Sequence, residues 1–478
     1  MSNKSTFYVT TAIDYVNAEP HVGHAYQKIV ADALARWHRL QEKDVFFLTG
    51  TDEHGKKIEQ SAKNANKATK EFVDENSEKF KKAWKKLNIK YDRFIRTTDK
   101  DHKTVVEEFT EKINKNKDIY KGIYEGLYCI ACETYYTEKD ATNLICPIHH
   151  KPLEKLKEET YFFKLSKYQK FLLDYYKANP DFILPKTRRE EVINRIKEGL
   201  KDLSITRSSL EWGIPFPQDK KHVFYVWYEA LINYYTATKE KGKEKFWPAN
   251  LHILGKDNTW FHTVIWPAML KSANLPLPIS TFNHGFLTFN GQKISKSLGN
   301  TISPITLVEK YSSDSIRYFC LRHFPFGEDG NFDEQALTDR HNNELANKLG
   351  NLVSRVSTLA EKYNLEKTEI IESKQTIQNV SNHLKNLAPD KAIDEIFAFV
   401  DKLNTIIQDK KPWETKDKKV LYQIANGIKD ASILLSPFIP ETAEKISKTF
   451  NFEISLKQLN EPLKINKIKK SDILFKKI

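Results

Sequence analysis

The sequence predicts an α/β chain: a parallel sheet in two halves, an insertion between them, and a helical bundle towards the C-terminus. Three observations carry this. Over residues 5–115, and again from Val223, short continuous apolar runs such as Val45-Phe46-Phe47-Leu48 alternate with helical periods. Strands buried on both faces of a parallel sheet have that character. Residues 116–205 break the rhythm with a cysteine–histidine cluster, the aromatic run Tyr161-Phe162-Phe163 and charge-rich helices. From about 335 to near 450 the period is helical: Leu345, Leu349, Leu352, Val356 and Leu359 alternate steps of four and three, a buried stripe.

Taken in order, a short strand at Phe7-Tyr8-Val9 leads into the turn Thr10–His24. After it Tyr26, Ile29, Val30, Ala33, Leu34 and Trp37 recur at helical spacing. His21-Val22-Gly23-His24 therefore opens a helix, where unpaired N–H groups and partial positive charge suit an anion. Two imidazoles one turn apart can lie against a triphosphate. A second strand at Val45–Leu48 runs into Thr49–Gly55, whose polar residues fall at the carboxyl edge of the sheet, where α/β folds bind ligands. Helices follow at about 55–64 and 69–87. Strand character returns at Val223–Trp227, at Leu251–Leu254 before Gly255-Lys256-Asp257, and at Thr281-Phe282. A glycine-flanked loop, Asn290–Asn300, holds Lys293, Lys296 and Ser297. Helices of the bundle fit at about 374–387, 391–409, 418–434 and 440–449. The Lys-rich tail after 455 has no clear period. The boundaries read as 1–115 and 206–302 for the two sheet halves, 116–205 for the insertion, 303–335 for a linking region and 336–478 for the helical domain.

At 478 residues, with 40% hydrophobic and 12% aromatic content, the chain can fill several cores. A net charge of +13 favours a polyanionic partner, but lysine is spread along the whole length and marks no single domain. Four cysteines are too few for a disulfide framework, and no 18-residue apolar run or signal-peptide core is seen. A cytoplasmic protein without a membrane span is expected.

The two-histidine turn and the lysine loop together point to activation by ATP. A carboxylate attacking the α-phosphorus needs no general base. It needs the phosphate charge neutralised as pyrophosphate departs. Lys293 and Lys296 can contact the β- and γ-phosphates from a closing loop, and His21 and His24 from the other side. The other cluster, Cys129-x2-Cys132-x13-Cys146-x2-His149, has the paired spacing of a tetrahedral zinc knuckle with four protein ligands, a structural site. His150 is an alternative fourth ligand.

His21-Val22-Gly23-His24 and Lys293-Ile294-Ser295-Lys296-Ser297 resemble the two signature motifs of class I aminoacyl-tRNA synthetases. The words around them resemble the methionyl-tRNA synthetase family over essentially the whole chain: Tyr15–Pro20, Thr49–Gly55, and Gly255-Lys256-Asp257 followed by Phe261-His262. The fold implied is a Rossmann-like parallel sheet with a zinc-knuckle insertion, followed by an α-helical anticodon-binding bundle. The resemblance implies that Ile13, Tyr15, Trp227, Ala230, Tyr234, Phe261 and His262 enclose a methionine side chain. It further implies that Asp52 receives the α-ammonium and Asp257 the ribose hydroxyls, and it adds Gly23 and Ser297 to the ATP contacts. An apolar aromatic box suits a flexible, polarizable thioether. Asp14, beside Ile13, should then point away from the pocket, and Leu231 stands where some members carry proline. The resemblance also favours His149 as zinc ligand, and the insertion is too short for the editing domain of leucyl-, isoleucyl- and valyl-type enzymes.

In the bundle, Asn347, Asn351 and Arg355 fall at i, i+4 and i+8, and Pro412-Trp413 ends another helix among lysines. Amide, guanidinium and indole suit splayed RNA bases. The family match puts Asn351, Arg355, Pro412 and Trp413 at anticodon-reading positions. The implied activity is ATP-dependent ligation of L-methionine to initiator and elongator tRNA(Met), with Mg2+ accompanying ATP and one structural Zn2+. A monomer is expected, as no appended tRNA-binding domain follows the bundle. The rival readings are a class I synthetase of another specificity, such as the cysteinyl type with zinc at the sheet edge, and a non-catalytic RNA-binding paralogue, which loss of the first histidine or the loop lysines would suggest; here both are intact.

Overall fold

The computed structural model describes residues 4–130, 134–136, 141–147, 150–289, 291–293, 301–465 and 467–478. The main sheet has seven strands, and every pairing in it is parallel. Thr6–Thr11 lies at its centre between Asp44–Asp52 and Leu251–Gly255. Thr281–His284 and then Ile183–Leu184 extend one side, and Arg93–Arg96 edges the other. After the central strand a break at Ala12-Ile13 is followed by Asp14–Tyr15, which pairs with Thr51-Asp52 at the end of Asp44–Asp52. Continuous apolar runs form these strands because both faces are covered. One face packs Val22–Leu40, with Ile29, Val30, Leu34 and Trp37 buried. The other packs Phe46, Leu48, Phe109, Tyr228 and Trp266.

Two boundaries differ from the sequence reading. Ile183–Leu184, inside the expected insertion, joins the main sheet beside Thr281–His284. The separate unit is a four-stranded antiparallel sheet built on Ile119–Cys129 and Glu154–Phe163. The expected strand Val223–Trp227 is extended only at Val223–Phe224, which pairs with Thr206–Arg207 outside the main sheet. From Val226 to Leu231 the chain is helical. A continuous apolar run fits a buried helix as well as a strand, and here every residue of that helix except Trp227 is buried.

The bundle helices are Asn351–Tyr363, Lys374–Lys385, Pro389–Lys410, Lys418–Leu435 and Pro440–Phe450. The stretch His341–Gly350 winds wider, with π-helical turns. The tail is not loose: Leu463, Ile468 and Phe475 are buried. The Ile478 N–H donates to Asn342 Oδ1 at 3.0 Å, and the Lys476 carbonyl lies 2.7 Å from His341 Nε2.

A buried cation joins the sheet domain to the bundle. Arg317, on Ser313–His323, is fully buried and pairs with Asp32 of Val22–Leu40 at 2.7 Å. It also donates to the carbonyls of Phe438 and Pro437, each at 2.9 Å. Asp32 accepts further from Arg36 at 2.6 Å and from the Lys90 N–H at 2.8 Å. The carboxylate is thereby held below its ordinary range, burial being outweighed by Arg317, Arg36 and these hydrogen bonds. Cys320 is a fully buried core residue, as its apolar neighbours suggested.

Candidate functional site

The site lies at the carboxyl edge of the sheet, around the break between Thr11 and Asp14. His21 caps Val22–Leu40: its Nδ1 accepts the Gly23 N–H at 3.1 Å, and His24 Nδ1 accepts the His21 N–H at 3.2 Å. A nitrogen that accepts carries no proton, so in the neutral ring the N–H of each imidazole is on Nε2. The rings lie 3.8 Å apart. Burial, His21 and Lys28 together hold His24 well below the ordinary imidazole range, and it is neutral at pH 7. Gly23 gives this fold-back room, since a Cβ there would crowd the His21 ring at 3.0 Å.

The lysine loop is fastened at both ends to this corner. Gln292–Lys293 pairs with Leu287–Phe289, and the Gly291 N–H donates to Asn331 Oδ1 at 2.7 Å. Beyond the loop, the Ile302 carbonyl accepts the Val22 N–H at 3.1 Å, at the first residue of the histidine helix. Lys296 and Ser297 lie outside the described residues, and Lys293 is described in its backbone only. Asp257 follows Leu251–Gly255, next to the central strand, and is exposed. Gly255 makes room for its carboxylate, which a Cβ would meet at 2.7 Å.

Several of the residues expected around the amino acid are brought together. Trp227 and Phe261 stack face to face, with centroids 4.0 Å apart and 10° between planes. Ile13 and Tyr15 pack on the same cluster, Ala230 and Tyr234 are buried, and Asp52 is 4% exposed. Phe261 and His262 sit on a wide π-helical turn, Phe261–Ile265, a local distortion frequent at functional sites. His262 Nδ1 lies 2.9 Å from the Asn258 carbonyl. A carbonyl only accepts, so Nδ1 carries the proton and Nε2 accepts the Tyr234 hydroxyl at 2.6 Å. Burial lowers His262 to about 4, so the ring is neutral. The polar atoms of Tyr234 and His262 thus satisfy each other and leave an aromatic wall. Asp14, beside Ile13, pairs with the buried Lys28 at 2.5 Å. Burial raises its carboxyl to about 6 against the pull of Lys28. Trp227, expected at a strand end, is instead on the short helix, because the run holding it coils before reaching the sheet.

In the bundle, the Arg355 guanidinium lies 4.8 Å over the Trp413 ring, and Asn351 is exposed one turn away. Trp413 does not end a long helix with a bare indole. Lys411, in the left-handed region at φ 42°, closes Pro389–Lys410, and Pro412 then starts a separate one-turn helix. Pro412 is buried and Trp413 half-buried against the core. Asn347 is half-buried within the wide-turned stretch.

Cys129 and Cys146 are buried in one small apolar cluster with Leu127, Ala141 and Leu153, and Tyr136 packs on it. The Cys146 Sγ lies 3.7 Å from the Tyr136 hydroxyl. Cys132 and His149 lie outside the described residues, and His150 is exposed. A different group, Glu159, Asp219 and His222, also converges. The Lys121 ammonium already sits 2.7 Å from Glu159 and 3.3 Å from Asp219.

Sequence reasoning gave no role to Glu229, His54 and His102, which join behind the pocket. His54 Nδ1 lies 2.8 Å from one Glu229 oxygen, and His102 Nε2 lies 2.9 Å from the other. The available signal was a carboxylate inside an otherwise apolar run, Val226–Leu231.

The family model for tRNA synthetases class I (M) matches residues 7–155 and 139–357, and that for the anticodon-binding domain of tRNA ligase matches 370–476. The methionine–tRNA ligase of Thermotoga maritima is 44% identical over 477 residues, covering 94% of this chain and 75% of that one. That of Campylobacter jejuni is 44% identical over 473 residues, with the same coverage. Among solved structures, Mycobacterium tuberculosis methionyl-tRNA synthetase with methionyl-adenylate aligns at a TM-score of 0.95 and 38% identity, over 98% of this chain and 99% of that one. Its free form aligns at 0.87 and 35%, over 100% and 99%. With a parallel sheet, a two-histidine helix start and a helical bundle in the same order, the chain belongs to the class I (M) tRNA synthetases.

Proposed function

We propose that this chain is a methionine–tRNA ligase. The methionine carboxylate attacks the α-phosphorus of Mg-ATP, forming methionyl-adenylate and releasing pyrophosphate. A terminal adenosine hydroxyl of tRNA(Met) then attacks the acyl carbon and releases AMP. The supporting observation is that one segment, Ile13–His24, borders both halves of the site: Ile13 and Tyr15 pack on the same core cluster as Trp227 and Phe261, while His21 and His24 open the helix beside the lysine loop. In this reading the Nε2–H groups of His21 and His24 donate to phosphate oxygens, with the Gly23 backbone close by. Lys293, Lys296 and Ser297 approach from the loop, and Asp257 holds the ribose. Asp52 receives the ammonium, and Ala230, Tyr234 and His262 complete the thioether pocket. Fixed donors aimed where charge develops account for catalysis without a general base.

Asn351, Arg355, Pro412 and Trp413 are proposed to read the anticodon of initiator and elongator tRNA. Cys129 and Cys146, buried together, fit half of a zinc shell that Cys132 and His149 would complete. Bound zinc would clamp the insertion. Metal analysis should find about one zinc per chain, and a metal-free protein of equal stability would exclude the shell. No helix among the described residues is long and apolar enough to cross a membrane, and a cytoplasmic monomer is proposed. Pyrophosphate exchange across the amino acids is the test. Methionine alone should drive it, and exchange driven by cysteine or another amino acid instead would overturn this specificity.

A further inference from the structure

The helix Val226–Leu231 carries two proposed pocket residues, Trp227 and Ala230, yet it has only six residues and no side-chain cap. A helix this short does not hold its place by its own hydrogen bonds. Glu229, between those two residues, is fully buried. Taking a carboxylate out of water costs several kcal/mol unless its oxygens are satisfied. Here one oxygen meets His54 Nδ1 at 2.8 Å and the other meets His102 Nε2 at 2.9 Å. Burial raises the Glu229 carboxyl above its ordinary range, and His102 opposes this. His102 Nδ1 lies in turn 3.1 Å from the Thr236 hydroxyl. These partners come from three separate places: the loop after Asp44–Asp52, the helix Lys100–Lys115, and the residues just past the pocket helix.

His54 has a second contact. Its backbone carbonyl accepts the Tyr15 hydroxyl at 2.8 Å. One residue therefore touches both walls of the pocket: it holds Tyr15 through its carbonyl and the Trp227–Ala230 helix through its ring and Glu229. We propose that Glu229, gripped by His54 and His102, is a positioning residue that sets the spacing between the Tyr15 wall and the Trp227 wall of the amino-acid subsite. It does not touch the substrate. The proposal rests on the reading of this pocket as the methionine subsite.

The test is pyrophosphate exchange with Glu229→Ala and Glu229→Gln, with KM measured separately for methionine and for ATP. The amide can replace the grip. Its oxygen accepts the His54 N–H, and its nitrogen donates to His102 Nε2 once the His102 proton moves to Nδ1, facing the Thr236 oxygen. Glu229→Ala should raise the methionine KM about tenfold and leave the ATP KM within about twofold, and Glu229→Gln should restore the methionine KM to within about threefold. Equal loss for both substrates, or a fall in kcat with both KM values unmoved, would reduce Glu229 to a structural part and overturn the proposal. Should Glu229→Ala fail to fold, His102→Ala loosens only the outer grip. It should raise the methionine KM about threefold with ATP unaffected, and an unchanged methionine KM would overturn the proposal. The unmodified chain is assayed first. If methionine does not drive its exchange, the functional reading fails. If methionine does and the variants do not shift, only the positioning role fails.

Discussion

The aromatic pocket and the Arg355–Trp413 pair are both built on ring faces, and they are held in opposite ways. Behind the pocket, buried hydrogen bonds tie Tyr234 to His262 and tie Glu229, on the helix that carries Trp227, to His54 and His102. On the bundle, Arg355 and Trp413 are half-buried, and the contact between them is a cation lying 4.8 Å over a ring. A contact of that kind is worth about 0.5–1 kcal/mol at an exposed site and about 2 when desolvated. The difference matches the task proposed for each. Selecting one small apolar side chain needs walls that do not yield, because a single methylene separates competitors by only about 1–3 kcal/mol. Reading splayed bases needs faces that can be displaced and stacked upon.

The sharpest way to break the rigid side of this contrast is Asp52→Ala. Removing one partner of a buried charged contact costs about 2–5 kcal/mol, so methionine-dependent exchange should fall about thirtyfold or more in kcat/KM, with the fold retained by circular dichroism. Acid is the next largest lever. Burial holds His54 at about 3, and His262 and His284 at about 4, against an ordinary 6.5. Unfolded imidazoles take up protons below about 6.5 while these resist, so stability is complete above that pH and declines as pH falls towards 4. The decline is about 1.4 kcal/mol per pH unit for each such ring. Asp14, raised to about 6, works the other way, since its folded carboxyl protonates first and gains stability below that pH. One carboxyl does not offset three imidazoles. Denaturant unfolding from pH 7 to 4.5 should show a net loss, and His262→Gln should flatten the slope.

On the open side, Trp413→Ala should weaken tRNA charging by about 1–3 kcal/mol, the worth of one stacked base, or roughly fivefold or more in KM for tRNA. Exchange should stay near normal, and an equal collapse of exchange would make the indole a core residue. The smallest effect is expected from Tyr234→Phe. It removes one hydroxyl donor to His262, worth about 1 kcal/mol, so the methionine KM should rise about fivefold while charging at saturating methionine is little changed.

Much of this was readable in the residues. The strand-to-helix turn at Thr10–His24 and the bundle helices were legible because apolar period is a local signal. The Val223–Trp227 run was not, since a short apolar run does not say whether it coils, and the observed chain turns helical at Val226. The return of Ile183–Leu184 to the main sheet was hidden for a related reason: two residues carry no period, and their partner Thr281-Phe282 is nearly a hundred positions away. The pocket residues came through the family resemblance. The Glu229 grip did not, because it joins three segments whose nearness only the folded chain supplies.

Arg317 has a consequence for how the molecule comes apart. Its guanidinium touches the histidine-bearing helix at Asp32 and two carbonyls of the bundle, at Pro437 and Phe438. Asp32 lies eleven residues after His21, about 16 Å along the helix axis by the rise per residue. Pulling the bundle off the sheet would take two carbonyl acceptors from a buried guanidinium, and hydrogen bonds to a charged group are worth about 1.5–3 kcal/mol each. The two halves should therefore melt together in one calorimetric transition, since one continuous apolar core also runs from the sheet side, at Val9 and Ile29, into the bundle, at Ile424 and Phe475. Arg317→Met should lower the temperature of that transition.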